Sequence, residues 1–118
     1  MARIDITGDA LVITLEGLDV LWALKKRLTI PLAHVRGATP DPGIVRGFKG
    51  VRTKGTNMPG VIVAGTFRTG EGRIFWNVRD AAKAVVIELA DEEYTRLVIE
   101  APDPRATADR IERARTPA

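Results

Sequence analysis

The sequence predicts a single mainly-β domain of antiparallel strands, closed by one C-terminal helix. Three observations carry that expectation. Several short runs alternate apolar and polar residues, the period of a half-buried strand. Two such runs, 61–68 and 73–78, flank Thr69-Gly70-Glu71-Gly72, a glycine-containing turn of the kind that joins a hairpin. Asp103-Pro104 then supplies helix-start chemistry near the end of the chain. Two strands alone are marginal in water, so the central hairpin must recruit neighbours.

Taken in order, the first seven residues place Ile4 and Ile6 on one side, which extends or pairs with the next strand. Residues 10–16 form that strand, with Leu11, Ile13 and Leu15 on one face and Gly17 as punctuation. Leu18, Leu21, Trp22 and Lys25 fall at helical spacing and predict a short helix near 18–26. A strand from 20 to 24 is the competing reading. Period two returns over 28–35, where Leu28, Ile30 and Leu32 share a face. Pro31 lacks an amide hydrogen, and a bulge near Ala33-His34 would turn Val35 inward. The stretch 39–60 holds five glycines and Pro40, Pro42 and Pro59. Its Ile44, Val45, Phe48, Val51 and Met58 predict an ordered loop folded back over the sheet, with room for a short strand.

Beyond the hairpin, Asp80 starts a single helical turn, and 84–89 is an apolar run suited to an interior strand. Asp91-Glu92-Glu93 turns into a last strand over 95–100. The runs 61–68, 73–78, 84–89 and 95–100 are therefore expected to form a meander. The closing helix should reach about Arg115 and stop before Pro117. Its apolar face is thin: Thr107, Ala108, Ile111 and Ala114.

The chain has 118 residues, the size of one domain, and 45% of them are hydrophobic, so it can bury a core. The net charge of +3 hides an uneven layout. From Lys25 to Lys54 there are eight basic residues opposed only by Asp41. From Glu88 to Asp103 there are six acids opposed only by Arg96. Such a split suits an anionic partner or self-association. The first ten residues carry Asp5 and Asp9 and lack a hydrophobic signal region, and no apolar run approaches the roughly 20 residues of a membrane helix. The expectation is a soluble cytoplasmic domain with no membrane insertion.

The order of elements, together with Leu21-Trp22-Ala23-Leu24-Lys25, Ile30-Pro31-Leu32, Pro59-Gly60, Gly65-Thr66-Phe67, Phe75-Trp76 and the run 85–89, resembles small bacterial proteins with a pleckstrin-homology-like (PH-like) domain. The resemblance spans most of the chain. It implies a barrel of about seven antiparallel strands in two orthogonal sheets, plugged by the C-terminal helix. Phosphoinositide-binding relatives carry a basic pattern between the first two strands. This chain has Gly17-Leu18-Asp19 there, and Lys25-Lys26-Arg27 come later.

Chemical motifs are sparse. The chain has neither cysteine nor serine, which excludes disulfides, thiolate sites and ordinary serine nucleophiles. His34 is the sole histidine, so a histidine-rich metal centre is excluded, and no neighbour in sequence orients it as a base. Asp91, Glu92 and Glu93 should splay in their turn rather than converge on a cation. Lys54-Gly55-Thr56 has the wrong order for a phosphate-binding loop, and Gly43, Gly47 and Gly50 do not match a dinucleotide fingerprint. Phe75 and Trp76 point to opposite faces of their strand. Packing is their plainer role; a ring left outside the core beside Arg68 or Arg73 would stack a base or a peptide side chain.

The expectation is a non-catalytic binding module with no cofactor and no metal, whose partner is a protein or a second copy of the chain. The alternative is a nucleic-acid or anionic-ligand binder using the basic segment 25–54; an enzyme ranks third. Loops on a rigid scaffold are the usual seat of recognition. The candidate partner-binding residues are therefore Arg46, Phe48, Lys49, Arg52 and Lys54 of the long loop, with Arg68 and Arg73 of the hairpin.

Overall fold

The alternating runs become strands in two sheets. A computed structural model describes residues 2–16, 27–44, 51–58 and 62–115. The expected helix near 18–26 lies outside these residues.

The first sheet is built locally. β1 (Ala2–Thr7) and β2 (Ala10–Leu15) pair antiparallel around Gly8, which takes the left-handed φ of 61° that the tight turn requires. β3 (Arg27–Pro31) pairs antiparallel with the other edge of β2, giving the order β1-β2-β3. Ile4, Leu11, Ile13, Leu15, Leu28 and Ile30 are buried, as period two requires.

The run 28–35 is not one strand with a bulge. A 3-10 turn at Leu32–His34 separates β3 from β4 (Val35–Pro40), which belongs to the second sheet. The turn is pinned where Leu32 N donates to Asp9 O at 2.8 Å. It supplies the one-residue phase change that the alternation demanded, and Val35 is 1% exposed.

The second sheet joins β4 to β5 (Val51–Met58), β6 (Ile62–Thr69), β7 (Gly72–Val78), β8 (Ala84–Leu89) and β9 (Tyr94–Glu100). Its six strands lie in the order β4-β8-β9-β7-β6-β5. The expected meander is corrected here. β9 lies between β7 and β8, parallel to β7 and antiparallel to β8. The physical cause is the connection after β7. Asp80 accepts from Ala82 N and starts a 3-10 turn at Ala81–Lys83. The buried Glu100 carboxylate, at the end of β9, accepts from the amides of Arg79 and Asp80 at 2.7 and 2.9 Å. Ala101 N donates to Lys83 O. The connection thus straddles the end of β9 and leaves a gap one strand wide. Glu100→Ala is expected to cost about 2 kcal/mol in a urea melt, because two amides lose a charged acceptor, while Glu100→Gln should cost less.

The mainly-β class holds, but a closed barrel of about seven antiparallel strands is not confirmed. Nine strands are present among the described residues, one neighbouring pair is parallel, and no backbone pairing there joins the two sheets. The stretch 39–60 is more regular than expected, because β4 runs to Pro40 and β5 supplies an eight-residue edge strand.

The C-terminal helix α1 (Pro104–Arg115) follows its predicted bounds. Asp103 Oδ1 accepts from Ala106 N at 3.1 Å, the cap the sequence implied. Ala108 and Ile111 are its buried residues. The helix packs on β4 and β8 of the large sheet and on β1 of the small one. Arg110 Nη2 also donates to the Ile4 carbonyl at 2.8 Å.

One apolar cluster draws on both sheets and the helix, with Leu11, Ile13, Phe75, Ile87, Leu97, Ile99 and Ile111 at its centre. A second cluster occupies the opposite face of the large sheet, with Val63, Phe67, Ile74, Trp76, Val78 and Val98. Both faces of that sheet are therefore dry along its middle. Asn57 Oδ1, Trp76 Nε1 and Asn77 Nδ2 are buried without a partner among the described residues, a cost of about 1–3 kcal/mol each that the packing must outweigh.

Candidate functional site

The hairpin tip gathers the charged groups. Thr69 pairs with Gly72 across a two-residue turn, and Thr69 Oγ1 both donates to Gly72 O and accepts from Glu71 N. Immediately behind the turn, Arg68 and Arg73 are cross-strand partners. Like charges directly opposite one another destabilise a sheet. Arg73 finds partial compensation in Glu93, with Nη1 and Oε1 3.8 Å apart, an exposed pair worth at most about 1 kcal/mol. Arg68 is exposed and makes no ion pair among the described residues. A hollow of about 420 Å³ lies over the turn, bounded by Arg68, Arg73 and Glu93.

Four of the seven predicted partner-binding residues come together here. β5 runs beside β6, so Arg52 is the register partner of Phe67, Lys54 that of Thr66, and Val51 that of Arg68. Arg52, Lys54, Arg68 and Arg73 thus occupy neighbouring positions at one end of three adjacent strands. Arg46, Phe48 and Lys49 lie outside the described residues.

The aromatic reading resolves toward packing. Phe75 is buried between the sheets, in a T-shaped contact with Tyr94 at 5.7 Å. Trp76 is buried on the other face, in a T-shaped contact with Phe67 at 6.3 Å. Neither ring is left to stack on a ligand, because the large sheet has an apolar cluster on each side.

The acids of the Glu88–Asp103 stretch are mostly committed within the chain. Glu88 pairs with Arg96 at 3.0 Å, Glu92 with His34, and Glu93 with Arg73. Glu100 holds the amides of the β7–β8 connection, and Asp103 caps the helix. Asp91, Glu92 and Glu93 do splay, with Asp91 at a left-handed φ of 61°. Among the described residues no group of three metal-ligating side chains converges.

Sequence reading missed the partner of His34. Glu92, 58 residues away, meets His34 Nδ1, and Ala90 N donates to His34 O. The contact depends on the β8–β9 turn folding back over the 3-10 turn at Leu32–His34, so no local pattern announces it. Chemically, the hairpin end offers guanidinium forks for carboxylates or phosphates. Among the described residues no helix is long and apolar enough to cross a membrane. Comparison with family models, curated proteins and solved structures returns no match.

Proposed function

We propose that the chain is a non-catalytic, PH-like binding module that engages an acidic segment of a partner protein at the arginine-bearing end of β5, β6 and β7. The observation that carries this reading is the Arg68–Arg73 cross-strand pair. The fold keeps two like charges opposed, and Arg68 has no counter-ion among the described residues. A bound carboxylate would relieve that repulsion and use both guanidinium forks. The PH-like assignment draws support from two sheets sharing one apolar cluster and from a closing helix packed on both. A partner protein is favoured over self-association because the acids that could attract a second copy are mostly spoken for inside the fold.

The test is a fluorescence titration with a labelled glutamate-rich peptide, run beside duplex DNA, RNA and anionic vesicles. The peptide is expected to bind, with affinity falling as salt rises. Arg68→Gln should weaken binding about tenfold while leaving stability unchanged or raised by up to about 0.5 kcal/mol, since it removes a like-charge pair. Preference for nucleic acid or vesicles over the peptide, or an Arg68→Gln protein that binds as well as the parent, would overturn the reading.

A further inference from the structure

A second concavity lies between the start of β1 and the face of α1 that carries Ala106, Arg110 and Arg113, with a volume of about 640 Å³. It shares no lining residue with the hairpin hollow. Its floor is small and apolar: Ala2, Ile4, Ala101 and Ala106. That size and lining fall within the usual range of small-molecule sites, roughly 300–1,000 Å³.

The charged rim is mixed in number but not in availability. Its acids are Glu16, Glu100 and Asp103. Glu16 faces Arg3 at 3.5 Å, Glu100 accepts from two backbone amides, and Asp103 caps the helix. Among its cations, Arg3 is held by Asp5 and Glu16, and Arg110 places Nη2 on the Ile4 carbonyl. Arg113 is exposed and has no partner among the described residues. Thr107, nearly two turns earlier on the same helix, lines the cleft as well. The unspent recognition chemistry is therefore a guanidinium donor set above an apolar floor.

We infer that this cleft binds a small organic monocarboxylate, with its apolar body on the Ala2, Ile4, Ala101 and Ala106 floor and its carboxylate against Arg113. Two features select this occupant. Three carboxylates in the wall disfavour a doubly charged phosphate more than a single negative charge. Addition of a peptide strand along the edge strand β1 is disfavoured because the Arg110 side chain reaches that strand and occupies the Ile4 carbonyl. The inference stands apart from the hairpin reading and uses none of its residues.

The test follows backbone amide shifts in the full chain during titration with isovalerate and with benzoate, beside inorganic phosphate and an extended acidic peptide. At least one carboxylate is expected to give saturable shifts at Ile4, Ala106, Thr107 and Arg113. Arg113→Gln should weaken binding roughly tenfold to a hundredfold, the loss typical of a hydrogen bond to a charged group. Ala106→Leu fills the floor from an exposed helical position and should abolish binding with the thermal midpoint unchanged. Arg68→Gln should leave these shifts as they are. Absence of saturable shifts from both carboxylates, tighter binding of phosphate or peptide at these amides, or an Arg113→Gln protein that binds normally would each overturn the inference.

Discussion

Phe75→Ala is expected to lower the unfolding free energy by about 3–5 kcal/mol, the range for removing a buried phenylalanine. Phe75 is 0% exposed and sits on β7, toward the middle of the six-stranded sheet. Its ring fills the space where the two sheets and the helix share one apolar cluster. It also makes a T-shaped contact with Tyr94, whose hydroxyl lies 3.1 Å from Thr66 Oγ1 in a buried bond. Truncation leaves a cavity and loosens the ring that positions that bond. Domains of this size commonly have only about 5–15 kcal/mol of net stability, so the variant should melt at far lower urea. A loss under about 1 kcal/mol would mean that the sheets are not packed through this ring.

Gly55→Ala should be nearly as damaging, for a different reason. Gly55 lies on β5 with φ at +107°, a region that side chains rarely adopt. A Cβ there would overlap the carbonyl oxygen of Ala64 and stand 2.6 Å from Gly65 Cα and 2.9 Å from Ala64 C. These are backbone atoms of the paired strand and cannot swing aside. The expected outcome is a loss of about 3 kcal/mol or more, concentrated at the β5–β6 pairing. Hydrogen exchange should show faster exchange at the amides of Ile62–Thr69 than at those of Tyr94–Glu100. Uniform protection in the variant would contradict the close approach of the two strands.

The same glycine explains part of what sequence reading left out. β5 is interrupted by a register shift between Arg52 and Lys54 and carries Gly55 and Asn57 in its middle, so it presents no clean alternation. By contrast, Leu11, Ile13 and Leu15 of β2 alternate against one apolar cluster, and β7 and β8, with a cluster on each face, are buried almost without interruption. The helix was legible to its caps because Asp103 and Pro104 act on their immediate neighbours. The strand order was not, because the insertion of β9 depends on Glu100 reaching amides 20 and 21 residues back. The charged end was half legible. The arginines of the hairpin follow from the turn, whereas Glu93 beside Arg73, and Arg113 over the floor of the second cleft, are products of tertiary folding.

The placement of β9 has a consequence for the chain as it leaves the ribosome. β7 and β8 are made before β9 and do not touch as ladder neighbours; each awaits the same later segment. Until Tyr94–Glu100 emerges, a nascent chain carries two apolar strands with bare edges, the state in which partly made sheets are most open to wrong pairings. The closing helix, which packs on the completed sheet, comes later still.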